Sequence, residues 1–208
     1  MELTQSANKS VNTNLVSIRS DKVKKFMAGV ALSFAAIAAN AADYKFDTAH
    51  TQIFFSINHL GFSNSTGQFT DFDGGFTFDE KDFSKSSVNV TINTDSIDIA
   101  NHKKWIEHMT SKDFFHSEKF PTMEFKSTKV KKTGDKTMDV AGDLTIKGVT
   151  KPVVLNVIFN KAGESFGTEK AGFSATTTID RTEFGLDTYA PNVGTEVPIR
   201  IEVEGEKI

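Results

Sequence analysis

Two basic side chains close otherwise apolar patterns. In Ile53 to Phe62, IFFSINHLGF, the residues Ile53, Phe55 and Ile57 recur every second position, and His59 takes the next place on that face. In FSATTTIDR, Phe173, Ala175, Thr177 and Ile179 share a face that Arg181 ends. A histidine at a strand end is satisfied by backbone or water, or it donates to the polar head of a ligand at the mouth of an apolar cavity. A buried guanidinium is costly unless compensated. Arg181 therefore pairs with Asp180, Glu183 or Asp187, or meets an anionic head group, and pairing is the favoured reading. Phe184, just beyond in the loop TEFGLDTYAPNVGT, joins the candidate ligand-binding set.

Other chemistries lack their residues. The chain has no cysteine, so it offers neither a thiol nucleophile nor a disulfide. No Gly-x-Ser-x-Gly elbow and no phosphate-cradling glycine loop occurs, and Gly74-Gly75 reads as a plain turn. His102 and His108 are six apart on a predicted helix and point to different sides, and there is no His-Glu-x-x-His. Catalytic residues, metal and cofactor are accordingly each read as none. The formal net charge of -3, with no basic block, argues against a nucleic-acid partner.

The elements that must position these side chains read as β almost throughout. Glycines inside the short runs around Phe69, Phe72, Phe76 and Phe78 suggest bends or bulges. Val88, Val90 and Ile92 alternate, as do Met138, Val140, Gly142, Leu144 and Ile146, then Val153, Leu155, Val157 and Phe159, and finally Val197, Ile199, Ile201 and Val203. One helix is predicted over Asn101–Thr110, with Trp105, Ile106 and Met109 at helical spacing and Phe114 and Phe115 after it. It plugs an end, lids a ligand, or does both. About eight strands with short turns suggest a sandwich or an up-and-down barrel. An eight-stranded barrel is either just filled or able to hold one small ligand. Of the 19 phenylalanines only Phe26 and Phe34 precede residue 42. So many rings, with so little Trp and Tyr, imply a large apolar interior or an apolar cavity lined by Ile53, Phe55, Ile57 and Phe69.

The N-terminal part is set apart. Lys24 and Lys25, an apolar run from Phe26 to Ala39, and the small-x-small Ala39-Asn40-Ala41 read as a secretory signal peptide cleaved after Ala41. The apolar run falls short of the ~20 residues that span a bilayer. The polar Met1 to Lys22 precede it, either as a long n-region or because translation starts near Val23. Residues 1–41 are thus expected to be leader and signal, and 42–208 one exported domain.

Four blocks in order, SINHLGFSNSTGQFTDFDGGFTFD, INTDSIDIANHKKWIEHMTSKDFFHSEKFPTMEFKST, GDLTIKGVTKPVVL and GFSATTTIDRTEFGLD, resemble the YceI-like family from about Tyr44 to Gly205. The resemblance implies an all-β, eight-stranded antiparallel lipocalin-like barrel with one short helix. It implies a periplasmic protein whose lumen holds a polyisoprenoid or similar long-chain amphiphile, with a link to isoprenoid quinones. His59, Leu60 and Gly61 match one family motif, Gly67 and Phe69 a second, and His108, Met109, Ser111, Asp113 and Phe114 a third. Leu144, Thr145 and Gly148 to Pro152 match the hairpin. Trp105-Ile106 departs, since the family commonly has an Arg-Asp pair there, and a more apolar lid is the expected consequence. Trp105, Met109, Phe114, His59 and Arg181 thus join the lumen residues as candidate ligand contacts. The alternative is a solid-core secreted stress or interaction protein with no bound lipid. A homodimer is compatible with either.

Overall fold

The structure, a computed structural model, describes residues 41–208. The expected leader and signal segment lies outside the described residues but for its last alanine. Among the described residues no helix is long and apolar enough to cross a membrane.

Eleven strand segments form one antiparallel sheet that closes on itself. In chain order they are β1 (Ala42–Phe46), β2 (Gln52–His59), β3 (Ser63–Phe69), β4 (Phe72–Phe78), β5 (Ser87–Asn93), β6 (Ile97–Asp98), β7 (Thr122–Lys132), β8 (Thr137–Ile146), β9 (Val149–Ser165), β10 (Thr168–Asp180) and β11 (Glu196–Lys207). Three pairs of segments are single strands interrupted once. β1 and β2 follow each other along β11, with Phe46 opposite Gly205 and Gln52 opposite Glu202. β3 and β4 follow each other along β2 and β1, and β6 and β5 along β3 and β4. The segments therefore merge into the expected closed eight-stranded antiparallel barrel, each strand pairing with its sequence neighbours and the last with the first.

The alternation follows from this closure. Every second residue points into the lumen, so the inward positions are apolar and the outward ones polar. The rings fall into two clusters, with Phe76 packed against both. Phe78, Phe83, Phe159 and Phe173 form one cluster, with Phe78 centred 4.9 Å from both Phe159 and Phe173. Phe69, Phe72, Phe114, Phe115 and Phe184 belong to the other, at the end covered by the helix α1 (Lys103–Thr110). α1 sits within the long connection from β6 to β7 and packs Ile106 and Met109 against the core.

Gly74-Gly75 corrects the plain turn expected there. Both lie inside β4, paired with Val90 and Asn89 of β5, and Gly75 also with Lys45 of β1. A side chain at either would meet a neighbouring carbonyl, that of Asn89 or of Tyr44. The glycines permit close backbone approach rather than a reversal. Gly142 plays a related part, because the Phe125 ring and the Lys126 carbonyl occupy the place its Cβ would take.

The break between β1 and β2 is held by polar contacts. The Thr51 hydroxyl donates to the Glu204 carbonyl (3.0 Å) and accepts from the Glu204 N–H (3.2 Å), so the backbone of β11 stays satisfied opposite the gap. The Asp47 carboxylate accepts from Lys170 Nζ at 2.9 Å and His50 Nδ1 at 2.7 Å. The Lys170 hydrogen bond, and then that of His50, lower the Asp47 carboxyl to about 2. A carboxylate depressed in the folded state stabilises the fold above its unfolded value and ceases to do so as pH falls toward the folded value.

Two outcomes follow for stability. Gly142→Ala is expected to lower the unfolding free energy by about 1–3 kcal/mol, measured by urea denaturation. Asp47→Asn has no proton to gain, so its stability deficit against the wild type should narrow as pH falls from about 4 toward about 2. Denaturation midpoints at successive pH values check this.

Candidate functional site

The barrel interior is not filled by its own side chains. A cavity of about 320 Å³ runs through it, and the surface facing that space is apolar throughout. Its size falls at the lower edge of the ~300–1,000 Å³ usual for ligand pockets. Between the two ring clusters the wall includes short aliphatic groups, among them Val88, Val90, Val153, Ile201 and Val203. These residues point inward yet are only partly buried. A core side chain in contact with packed atoms on all sides would be fully buried, so their residual exposure is toward the cavity.

Seven of the expected contacts stand on this wall: Ile53, Phe55, Ile57, Phe69, Met109, Phe114 and Arg181. β2 supplies the first three by its two-residue period, and β3 supplies Phe69 directly opposite Ile53. The Phe55 and Phe69 rings lie 5.6 Å apart, and Phe69 meets Phe115 edge to face at 5.8 Å.

The other three expected contacts lie off the wall. His59 is exposed in the last position of β2, where its carbonyl accepts from the Phe62 N–H and its backbone bridges to Val193. The alternation carries one residue beyond the lumen, because the β2–β3 hairpin projects past it. Trp105 is 45% exposed and stacks on His102, since the helix face carrying Ile106 and Met109 is the one that turns inward. From this helix Met109 reaches the cavity wall, Ile106 packs against the core, and Trp105 stays outside both. Phe184 is only 1% exposed but packs within the core behind the wall. It closes a short 3₁₀ turn, Arg181–Phe184, which Asp180 caps and left-handed Gly185 ends.

Arg181 also departs from the expected pairing with an acid. It is 4% exposed, and its three nitrogens donate to main-chain carbonyls: Nε to Gly194 at 2.8 Å, one terminal nitrogen to Val193 at 2.9 Å, the other to Leu186. Asp180 is engaged instead with the Thr182 N–H and hydroxyl. Burial pushes the guanidinium below its ordinary value, opposed by the fields of Asp180 and Asp187. The arginine thus gathers the loop between β10 and β11 over the end of the barrel. It is also the one charged residue on the cavity wall among the described residues.

That loop adds Leu186, Tyr189 and Val193 to the wall. Tyr189 leans on Phe114 and His108 of the helical connection, and Thr188 donates to the Asp113 carbonyl at 2.5 Å. None of these residues sits in a periodic pattern, so alternation could not have found them.

One group of metal-ligand spacing occurs among the described residues: Asp47, His50 and Glu204. Lys170 already supplies the positive charge there, 2.9 Å from Asp47 and 3.8 Å from Glu204. Its chemistry is that of an ion network holding the strand break.

Arg181→Met keeps bulk and removes the donors, leaving buried carbonyls unpaired. It should cost on the order of 3 kcal/mol of stability and raise amide exchange over residues 186–194, read by hydrogen exchange with mass spectrometry.

Comparison with known proteins covers nearly all of the described chain. Residues 44–205 match the YceI-like domain. Protein YceI of Escherichia coli O157:H7 is 44% identical over 189 residues, covering 88% of this chain and 98% of that protein. A UPF0312 protein of Pseudomonas aeruginosa is 43% identical over the same length and shares of both chains. Among solved structures, BcnA of Burkholderia cenocepacia superposes with a TM-score of 0.71 at 24% identity, over 76% of this chain and 98% of that one. A polyisoprenoid binding domain from Saccharophagus degradans gives 0.61 at 15% identity, over 80% of this chain and 99% of that one. The closed barrel, its apolar lumen and these matches agree, and the chain belongs to the YceI-like family.

Proposed function

We propose that this protein is an exported, periplasmic lipid-binding protein that holds a polyisoprenoid or similar long-chain amphiphile in its barrel. The single observation that carries the reading is the apolar cavity through the barrel. Apolar surface removed from water yields roughly 25 cal/mol per Å², so a hydrocarbon chain binds such a wall with few polar contacts. The Saccharophagus degradans neighbour, named for polyisoprenoid binding, supports the same ligand class. The role is binding rather than catalysis, because hydrocarbon retention requires no group that exchanges a proton. The head group lies at the helix end, near Arg181, the one charged residue on the cavity wall among the described residues.

Organic extraction of the purified protein followed by mass spectrometry should release a long-chain lipid. A blank extract, together with no uptake of an added fluorescent isoprenoid, would sink the proposal. A filled-lumen variant gives a second test. Val90→Phe with Ile201→Phe should keep the melting temperature and lose the lipid, since added methylenes are costly only where space is already taken.

A further inference from the structure

The helix end of the barrel carries apolar side chains that the fold leaves uncovered. Leu60 and Phe62, in the β2–β3 hairpin tip, are 50% and 88% exposed, Trp105 on α1 is 45% exposed, and Tyr189 in the β10–β11 loop is 59% exposed. These three elements sit at one end because β2, β10 and β11 all turn there. They also touch: the hairpin bridges to Val193, Gly194 donates to the Asn58 carbonyl at 2.9 Å, and Tyr189 packs on His108 of α1. Tyr189 and Val193 line the cavity as well. An apolar path therefore leads from the lumen to the exposed tips. At the opposite end the wall runs out instead to Ser86 and Ser87.

We propose that this end docks on the surface of a lipid bilayer, with Leu60, Phe62, Trp105 and Tyr189 entering the interface so that the cavity opens toward the membrane. The inference rests on the lipid-binding reading above and names where the lipid enters. Tryptophan and tyrosine favour the interfacial zone, and leucine and phenylalanine the layer beneath it. Charge at this end is balanced: Lys103, Lys104, Lys112 and Lys147 are interspersed with Glu107, Asp113, Glu183 and Asp187. A balanced rim suits apolar insertion better than a strongly charged partner. The other conspicuous apolar tip, Phe166 at 106% exposure, lies at the far end in the β9–β10 turn and is not part of the cavity wall, which makes it an internal control.

Trp105 is the only tryptophan in the chain, so tryptophan fluorescence reports on the helix end alone. The purified protein is titrated with phosphatidylcholine vesicles. Its emission should move to the blue, keep that shift in high salt, and be quenched by lipids brominated on their acyl chains. Phe62→Asp should weaken vesicle partition about tenfold with unchanged melting temperature, while Phe166→Asp leaves partition unchanged. The docking is overturned by an absent shift in the wild type, by loss of partition in Phe166→Asp alone, or by a doubled mass in light scattering that Phe62→Asp abolishes, which would assign the patch to a second copy. Lipid in the organic extract without a vesicle shift overturns the docking and leaves the carrier reading intact. A vesicle shift with an empty extract and no isoprenoid uptake overturns the carrier reading on which the docking rests.

Discussion

Closure of the sheet onto β11 is the constraint on which the rest of the structure depends. β10 pairs along one edge of β11, and β1 and β2 share the other, so the cylinder has a wall on every side. Once closed, its circumference is set by backbone geometry and not by the side chains within. The inward faces mix rings with short aliphatic groups, Val88 standing opposite Phe76 and Val90 opposite Phe125. The resulting space follows from the closed circumference, which cannot shrink to meet the shorter side chains.

Arg181 shows how the same closure shapes the site. An arginine at the end of an inward face would ordinarily demand an acid. Here main-chain carbonyls of one loop replace it, through Gly194, Val193 and Leu186. The guanidinium organises the covering loop, its nitrogens turned to that loop's carbonyls while the surface facing the cavity stays apolar. One side chain therefore sets the conformation of the loop that closes the lumen's end.

Much of this was legible because β-structure writes itself with period two. The inward sets at Val88 to Ile92, Met138 to Ile146, Val153 to Phe159 and Val197 to Val203 all line the barrel as their alternation implied. Alternation says nothing about where a strand leaves the barrel, so His59 continues the inward pattern of β2 yet stands beyond the lumen. Helical spacing placed Trp105 beside Ile106 and Met109 but could not tell which face turns inward. Gly74 and Gly75 resembled a reversal because glycine serves both turns and tight strand approach. Arg181's partners were invisible because carbonyls belong to every residue and leave no mark in composition. Tyr189 and Val193 entered through an aperiodic loop fixed by tertiary contacts.

The seam has a kinetic meaning as well. Its hydrogen bond from Thr51 to Glu204 joins residues 153 apart in the chain, so the earliest strands find their partners only in the last one. Such distant pairings fold slowly, because the entropy of bringing the ends together is lost before any contact repays it. Until that strand docks, the nascent sheet has two raw edges and an uncovered greasy concavity, the condition in which β-proteins clump. The seam is thus both the lock of the finished cylinder and the point of greatest vulnerability in its assembly.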